Sequence, residues 1–180
     1  MRDSASNRSA PRSPTSSPGS NGAHGGRTGD TILAMTDIPG TTLRPATPAD
    51  ADRIAALFTD EGYPVTPSVV ATRLARFSGD DSHVIVADAD GTVIGFIAFH
   101  VFPRFEHDDV AIRILGLVVD PGARARGVGR RLVAETERIG VERGAAFVEV
   151  TAGHHRPDAR RLYESMGYDA GLTAYLRRRR

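Results

Sequence analysis

The stretch that decides the fold is Val119-Asp120-Pro121-Gly122-Ala123-Arg124-Ala125-Arg126-Gly127-Val128-Gly129-Arg130. The preceding run, Ala111 to Val119, contains a single charged residue and predicts a strand that is buried on both faces. The positions from about Val128 to Arg143 carry apolar residues on one side and predict an amphipathic helix. The quoted stretch is therefore a loop that joins a buried strand to a helix.

A junction of this kind is suited to binding an anion. Free N–H groups at a helix start point the same way, and the helix dipole adds about half a positive charge. Gly127 and Gly129 have no side chains, so an anion can approach the backbone closely. Charge-assisted donors surround the same loop at Arg124, Arg126 and Arg130. The loop predicts a phosphate or pyrophosphate site, with a plain turn bearing solvated arginines as the alternative.

Two familiar phosphate loops do not fit these residues. A P-loop requires Lys followed by Ser or Thr where this chain has Val128 and Gly129, so a nucleoside triphosphate site is excluded. A dinucleotide loop requires a third glycine where this chain has Leu132.

Apolar runs and helical patterns alternate from Thr41 onward, separated by turn residues, which predicts an α/β (α+β) domain in the order β-α-α-β-β-β-α-β-α-β. The predicted strands are Thr41–Pro45, His83–Ala87, Val93–Phe99, Ala111–Val119, Ala146–Thr151 and a last one near Tyr168–Leu176. The predicted helices lie near residues 48–58, 67–77, 128–143 and 158–166.

The two ends of the chain differ from this domain. Residues 1–40 are rich in Ser, Pro and Gly and predict a disordered tail, the domain spans 41–176, and residues 177–180 form a basic tail. A secretory signal needs an apolar run of about 7–15 residues, whereas the longest run in the tail is Ile32–Met35, so we expect a cytoplasmic protein. Translation could start at Met1 or at Met35, and both remain open.

Composition excludes several classes of function. The formal net charge is +1, from 23 basic and 22 acidic residues, so no global field attracts nucleic acid or an anionic membrane. Cysteine is absent and every basic residue is arginine, which excludes cysteine and lysine nucleophiles. His154 and His155 are adjacent and would point to opposite faces of an extended segment, without a suitably spaced third ligand. We expect no metal site.

Two motifs resemble one known family. Leu117-Val118-Val119-Asp120-Pro121 followed by Arg124-x-x-Gly127-x-Gly129 resembles the acetyl-CoA signature of the GNAT-type N-acetyltransferases. Ala159 to Tyr168 resembles that family's second motif, a helix with a tyrosine that ends in Gly-Tyr or Gly-Phe. The resemblance extends over residues 41–180 and implies a GNAT-like fold: a mixed, mostly antiparallel central sheet with helices on both faces.

The resemblance also implies a set of residues that bind acetyl-CoA. The backbone of Leu117, Val118 and Val119 would pair with the pantetheine arm, because the family splays this strand from the next one, and Gly116 would be the bulge residue at the bend. The pyrophosphate would lie on the N–H groups of Arg124, Ala125, Arg126, Gly127, Val128, Gly129 and Arg130. One departure is Arg156, which stands where the family often has Asn.

Tyr163 resembles the family's general acid, which protonates the departing CoA thiolate. A phenol with a pKa of about 10 can donate a proton to a thiolate of similar basicity. The alternative is that Tyr163 only packs with Ala159, Leu162 and Met166 on one helix face.

No single residue stands out as the general base. An attacking amine must lose a proton, and candidates near the middle of the domain are His100, Glu106, His107, Asp108 and Asp109. The alternative for the acidic cluster is a solvated hairpin loop.

The function that these motifs imply is direct transfer of acetyl from acetyl-CoA to a primary amine of a small molecule or a protein. An acyl-CoA-binding sensor without turnover is the alternative, and a homodimer is one possible assembly. A nucleic-acid binder that uses Arg177–Arg180 is disfavoured by the small net charge. The acceptor would lie near Asp60–Pro64 and Phe102–Asp109, whose residues do not identify it.

Overall fold

The computed structural model describes residues 40–152 and 156–170. Five strands form one sheet in the order β1-β2-β3-β4-β5. The first four pair antiparallel with their neighbours, whereas β5 pairs parallel with β4. The strands are β1 (Thr41–Pro45), β2 (Ser82–Ala89), β3 (Thr92–Pro103), β4 (Val110–Val119) and β5 (Ala145–Val150).

Four α-helices connect and cover these strands: α1 (Ala51–Asp60), α2 (Pro67–Arg76), α3 (Val128–Glu142) and α4 (Pro157–Ser165). A short 3-10 turn, Pro48–Asp50, precedes α1, and Thr47 and Asp50 form a capping box there. Proline at the start of α2 and α4 fits the first helical turn, where its missing N–H is not needed.

Apolar side chains form a core on each face of the sheet. On one face Ile97, Phe99 and Ile112 pack against Leu132 and Val133 of α3. On the other face the buried residues of α1 and α2 pack against the sheet, at Ile54, Leu57, Val70, Val86, Val93, Phe96 and Val118. The predicted mixed, mostly antiparallel sheet with helices on both faces is confirmed.

Strand β4 is less buried than the sequence predicts. Arg113 is exposed and Leu115 is 53% exposed, so the prediction of burial on both faces is wrong in the middle of this strand. The reason is the extent of α1 and α2, which cover the end of β4 near Val118 and leave the earlier residues without a helix above them.

Some predictions fall on other parts of the chain. The tail at 1–39, the pair His154 and His155, and the basic end at 177–180 lie outside the described residues. The predicted last strand lies mostly outside them as well, and its described part, residues 168–170, is not in a strand.

Candidate active site

The last residues of β4 have one strand partner and one open edge. Leu117, Val118 and Val119 pair with Ile97, Phe96 and Gly95 of β3. On the other side, β5 pairs with β4 only as far as Ile114, which lies opposite Val150. Within the described residues, no strand therefore covers the second edge of 117–119, and its backbone groups can pair with an extended ligand.

A bulge marks the place where β4 leaves β5. Ala98 pairs with Gly116 and Phe99 pairs with Ile114, so Leu115 is the extra residue in β4. A bulge bends its strand and increases the local twist. The extra residue is therefore Leu115 and not its neighbour Gly116, which the resemblance implies, and the bulge coincides with the end of pairing to β5 at Ile114.

The loop after β4 is held at its start and open at its end. The Asp120 N–H donates to the Ile94 carbonyl (2.9 Å), and its side chain accepts from the Gly122 N–H (2.7 Å). Ala125 and Gly127 then take left-handed conformations, with φ of +58° and +82°. The N–H groups of residues 125–130 donate to no acceptor among the described residues. Consecutive N–H groups at a helix start, without a partner among the described residues, are an arrangement that is suited to binding an anion.

The three arginines of the loop have different surroundings. Arg124 folds back: its Nε donates to the Val119 carbonyl (3.2 Å), and its Nη2 pairs with Glu61. Arg130 donates to the Ser165 hydroxyl (2.6 Å). Arg126 is exposed and has no partner among the described residues, so its guanidinium is the one available to an anion at the loop.

Glu61 is a residue of this region whose contacts sequence reasoning missed. It follows the last residue of α1, its side chain is 11% exposed, and it pairs with both Arg124 and Arg156. The sequence places it in a segment expected near the acceptor, but no local pattern indicates a contact between residues 61 and 124. Arg53 likewise pairs with Asp120 and joins α1 to the loop.

Gly129 has a packing role beside the open loop. A Cβ at this position would lie 3.3 Å from Leu162 Cδ2 and 3.7 Å from Val119 Cγ2. The absence of a side chain thus lets α3 approach α4 and the end of β4. This close packing at Gly129 holds the start of α3 against α4 and the end of β4, next to the loop.

Tyr163 lies on α4, on the α3 side of the sheet, and is 7% exposed. Burial raises the pKa of its phenol to about 12, so the hydroxyl is protonated at neutral pH. Its ring lies 5.3 Å from that of Tyr168. Ala159, Leu162 and Met166 pack against the same core, so the contacts that the packing interpretation requires are present.

The candidate bases do not lie beside Tyr163. His100 is on β3 between Phe99 and Val101, whose side chains face α3, so His100 faces the opposite side of the sheet from Tyr163. Its Nδ1 lies 2.9 Å from the Ser82 hydroxyl. Asp109 pairs with Arg104 at 3.2 Å. The remaining candidates, Glu106, His107 and Asp108, are exposed in the turn between β3 and β4.

Within residues 40–152 and 156–170, no helix is both long and apolar enough to cross a membrane. No three acidic or histidine side chains of these residues come together as a potential metal site.

Comparison with known proteins gives the family. The family model described as acetyltransferase (GNAT) matches residues 51–168. The chain belongs to the GNAT acetyltransferase family. Membership places it among the N-acetyltransferases, a class of acyltransferases whose members use acetyl-CoA.

Similar proteins occur in several bacteria. An uncharacterized N-acetyltransferase, YhfO of Bacillus subtilis, is 32% identical over 142 residues, which cover 74% of this chain and 94% of that protein. An aminoalkylphosphonate N-acetyltransferase of Salmonella typhimurium is 29% identical over 136 residues, covering 73% and 86%. The crystal structure of a transcriptional regulator from Bacillus halodurans has a TM-score of 0.72 at 22% identity, covers 77% of this chain and 99% of that one, and shows the shared fold.

Proposed function

We propose that this protein transfers the acetyl group of acetyl-CoA directly to a primary amine. The observation that carries the proposal is the continuity of an open strand edge and a run of backbone N–H groups without a partner among the described residues. The open edge of residues 117–119 leads into the six free N–H groups of residues 125–130. An extended amide-bearing arm that ends in a pyrophosphate has the same order of groups, and acetyl-CoA is such a molecule.

The donor would be held by backbone more than by side chains. The pantetheine amides would pair with Leu117 and Val119 as a further strand would. The pyrophosphate would accept from the N–H groups at the start of α3, where the helix dipole favours negative charge. Arg126 supplies a nearby guanidinium, whereas the side chain of Arg124 is held by Glu61.

The reaction needs one nucleophilic attack and two proton movements. The amine nitrogen attacks the acetyl carbonyl carbon, a C–N bond forms, the C–S bond breaks, and CoA leaves as a thiolate. The amine gives up a proton to a base or to water. The hydroxyl of Tyr163 donates a hydrogen bond to the departing sulfur, and solvent completes the protonation, because a phenol with a pKa of about 12 is a weaker acid than a thiol.

The split in the sheet would let the two substrates meet. Tyr163 and α3 lie on one face of the sheet, and the side chain of His100 lies on the other. An amine bound on the His100 side would reach the acetyl group through the gap between β4 and β5. The name of the aminoalkylphosphonate N-acetyltransferase supports a small amine as acceptor, and a protein amine is the other candidate class.

Release of free thiol from acetyl-CoA tests this function. The purified protein would be assayed with amino acids, polyamines, aminoglycosides, aminoalkylphosphonates and peptides, with acetyl-CoA alone as the background. We expect at least one amine to raise thiol release well above background. Tight acetyl-CoA binding with no amine-dependent release would instead indicate an acyl-CoA sensor.

The remaining parts of the proposal concern the whole chain. We propose that residues 41–176 form the catalytic domain and that the protein acts in the cytoplasm, since acetyl-CoA is an intracellular metabolite. Size-exclusion chromatography with light scattering would test the homodimer.

A further inference from the structure

One carboxylate joins three separate segments around the gap between the ends of β4 and β5. We call this gap the cleft; one of its walls is the end of β4 with the loop after it, and the other is the chain that leaves β5 and continues into α4. Glu61 lies at the end of α1, and Arg124 and Arg156 both pair with it. The contact from Arg156 Nη2 to Glu61 Oε2 is 2.6 Å. With a side-chain exposure of 11%, Glu61 is better shielded from water than the two arginines, at 48% and 36%. Shielding strengthens an ion pair relative to one at the open surface.

The two arginines belong to opposite walls of the cleft. Arg124 follows β4, and its Nε also holds the carbonyl of Val119, the last residue of that strand. Arg156 immediately precedes α4 and so lies on the chain that leaves β5. Pairing between β4 and β5 ends at Ile114 and Val150, and beyond that point no backbone hydrogen bond between the described residues joins the walls. Glu61 joins them there by two ion pairs.

The position of Glu61 is fixed by the helix that carries it. Ile54 and Leu57 of α1 are buried against the sheet, and Arg53 ties α1 to Asp120. The carboxylate is therefore attached to a helix that is held against the end of β4 and that is separate in sequence from both β5 and α4. A fixed anion between two cations on separate segments sets the distance between those segments.

We propose that Glu61 is a positioning residue that holds the two walls of the acetyl-CoA cleft at the separation the pantetheine arm requires. The inference rests on the proposed function of the same site. One wall carries the open edge of β4 and the other carries α4 with Tyr163. Without Glu61 the walls would have to be ordered when acetyl-CoA binds, and that ordering costs affinity.

Direct binding of acetyl-CoA, measured by calorimetry, tests the proposal. Glu61→Gln keeps the size of the side chain and removes its charge. We expect the Kd for acetyl-CoA to rise about 5- to 20-fold, because the cleft is then no longer preorganised for the donor. Glu135→Gln is the matched control, because Glu135 is also partly shielded, with a side-chain exposure of 24%, and pairs with an arginine, Arg138, within α3. Its Kd should equal that of the wild type.

Variants of Arg156 separate positioning from a general loss of stability. Arg156→Gln should raise the Kd as Glu61→Gln does, and Arg156→Lys should restore most of the affinity. The double variant Glu61→Gln/Arg156→Gln should be no weaker than either single one, because both remove the same tie. The comparison of Arg156→Gln with Arg156→Lys decides the question even if Glu61→Gln does not fold.

Several results would overturn the inference. An unchanged Kd in folded Glu61→Gln, or equal Kd values for Arg156→Gln and Arg156→Lys, would show that the tie does not matter. A lower Kd would show that Glu61 competes with acetyl-CoA for Arg124. Failure of the wild type to bind acetyl-CoA would overturn the proposed function together with the inference, whereas the other results leave that function intact.

Discussion

Gly127 has a backbone conformation that other residues adopt only at a cost. Its φ is +82°, and a Cβ there would meet nothing within 4 Å of the protein, so the space beside it is open. A left-handed conformation costs a residue with a side chain about 1–2 kcal/mol. At this position the added methyl group would also project into the loop that we propose for the pyrophosphate.

Gly127→Ala should therefore have two effects. We expect it to lower the free energy of unfolding by about 1–2 kcal/mol and to weaken acetyl-CoA binding by about tenfold or more. Gly144→Ala is the control, because Gly144 has a φ of +69° and similarly open space but follows the far end of α3. Urea unfolding and calorimetry would measure both variants. Equal acetyl-CoA affinity in the two would argue against the loop as the pyrophosphate site.

Tyr163 has two candidate roles, packing in the core and assisting the departure of the thiolate. One substitution separates them. Tyr163→Phe keeps the ring in its core position and removes the hydroxyl. If the hydrogen bond from the hydroxyl assists the leaving thiolate, kcat should fall by about 10- to 100-fold while the Kd for acetyl-CoA stays the same. Wild-type turnover in this variant would leave Tyr163 with a packing role alone, and lost binding would mean that it positions the donor.

The pKa of Tyr163, which burial raises, allows a second test of this residue by the pH dependence of kcat. With a pKa of about 12, the neutral phenol persists where an ordinary tyrosine would begin to ionise. The kcat of the wild type should therefore show no decline from this group between about pH 8 and 10. A fall with a midpoint near the ordinary value of about 10 would show that the phenol is not shielded as described.

Sequence patterns predicted the backbone of the site better than its side chains. The free N–H groups follow from the order strand, glycine loop and helix, which is local information. The pairing of Arg124 with Glu61 joins residues that are far apart in the chain, and no spacing rule connects them. For that reason Arg124 was expected to face the phosphate, whereas in the structure its side chain points to Val119 and Glu61.

At the scale of elements, the contact between β3 and β4 is set by a close approach at Gly95. A Cβ there would lie 2.9 Å from the Val118 carbonyl oxygen and 3.2 Å from Val128 Cγ1. The backbone cannot yield as a flexible side chain would, so β3 would have to move away from β4. Gly95 thus holds in place the strand whose free edge we propose for pantetheine.

Gly95→Ala should lower the free energy of unfolding by about 1–3 kcal/mol. Gly116→Ala is the comparison within the same pair of strands, because a Cβ at Gly116 would have nothing within 4 Å. We expect its effect to stay within about 0.5 kcal/mol. Chemical unfolding measures both variants, and a larger loss for Gly116→Ala would contradict the packing described for β3 and β4.

The order of the elements followed from the sequence, but their burial did not follow fully. Hydrophobic runs and turn residues locate β1 to β5 and the four helices within a few positions. The same runs do not say how far a helix extends over the sheet. Leu115 is apolar, so its sequence context predicts a buried side chain. It lies instead in a bulge that α1 and α2 do not cover, and it is exposed.

At the scale of the whole molecule, we expect the Ser/Pro/Gly-rich segment before Met35 to contribute nothing to folding or to donor binding. Its composition cannot bury enough apolar surface to offset the entropy of ordering it. A protein that begins at Met35 should unfold at the same midpoint temperature and bind acetyl-CoA with the same Kd as the full chain. Loss of cooperative unfolding on truncation would show that the folded domain begins earlier.

The most direct test of the account is a crystal structure of the full protein with CoA. The account predicts that the pantetheine amides pair with the backbone of Leu117 and Val119, between β4 and β5. It also predicts that pyrophosphate oxygens accept hydrogen bonds from the N–H groups of residues 125–130. A CoA molecule bound elsewhere, with those N–H groups facing water, would contradict the proposed site.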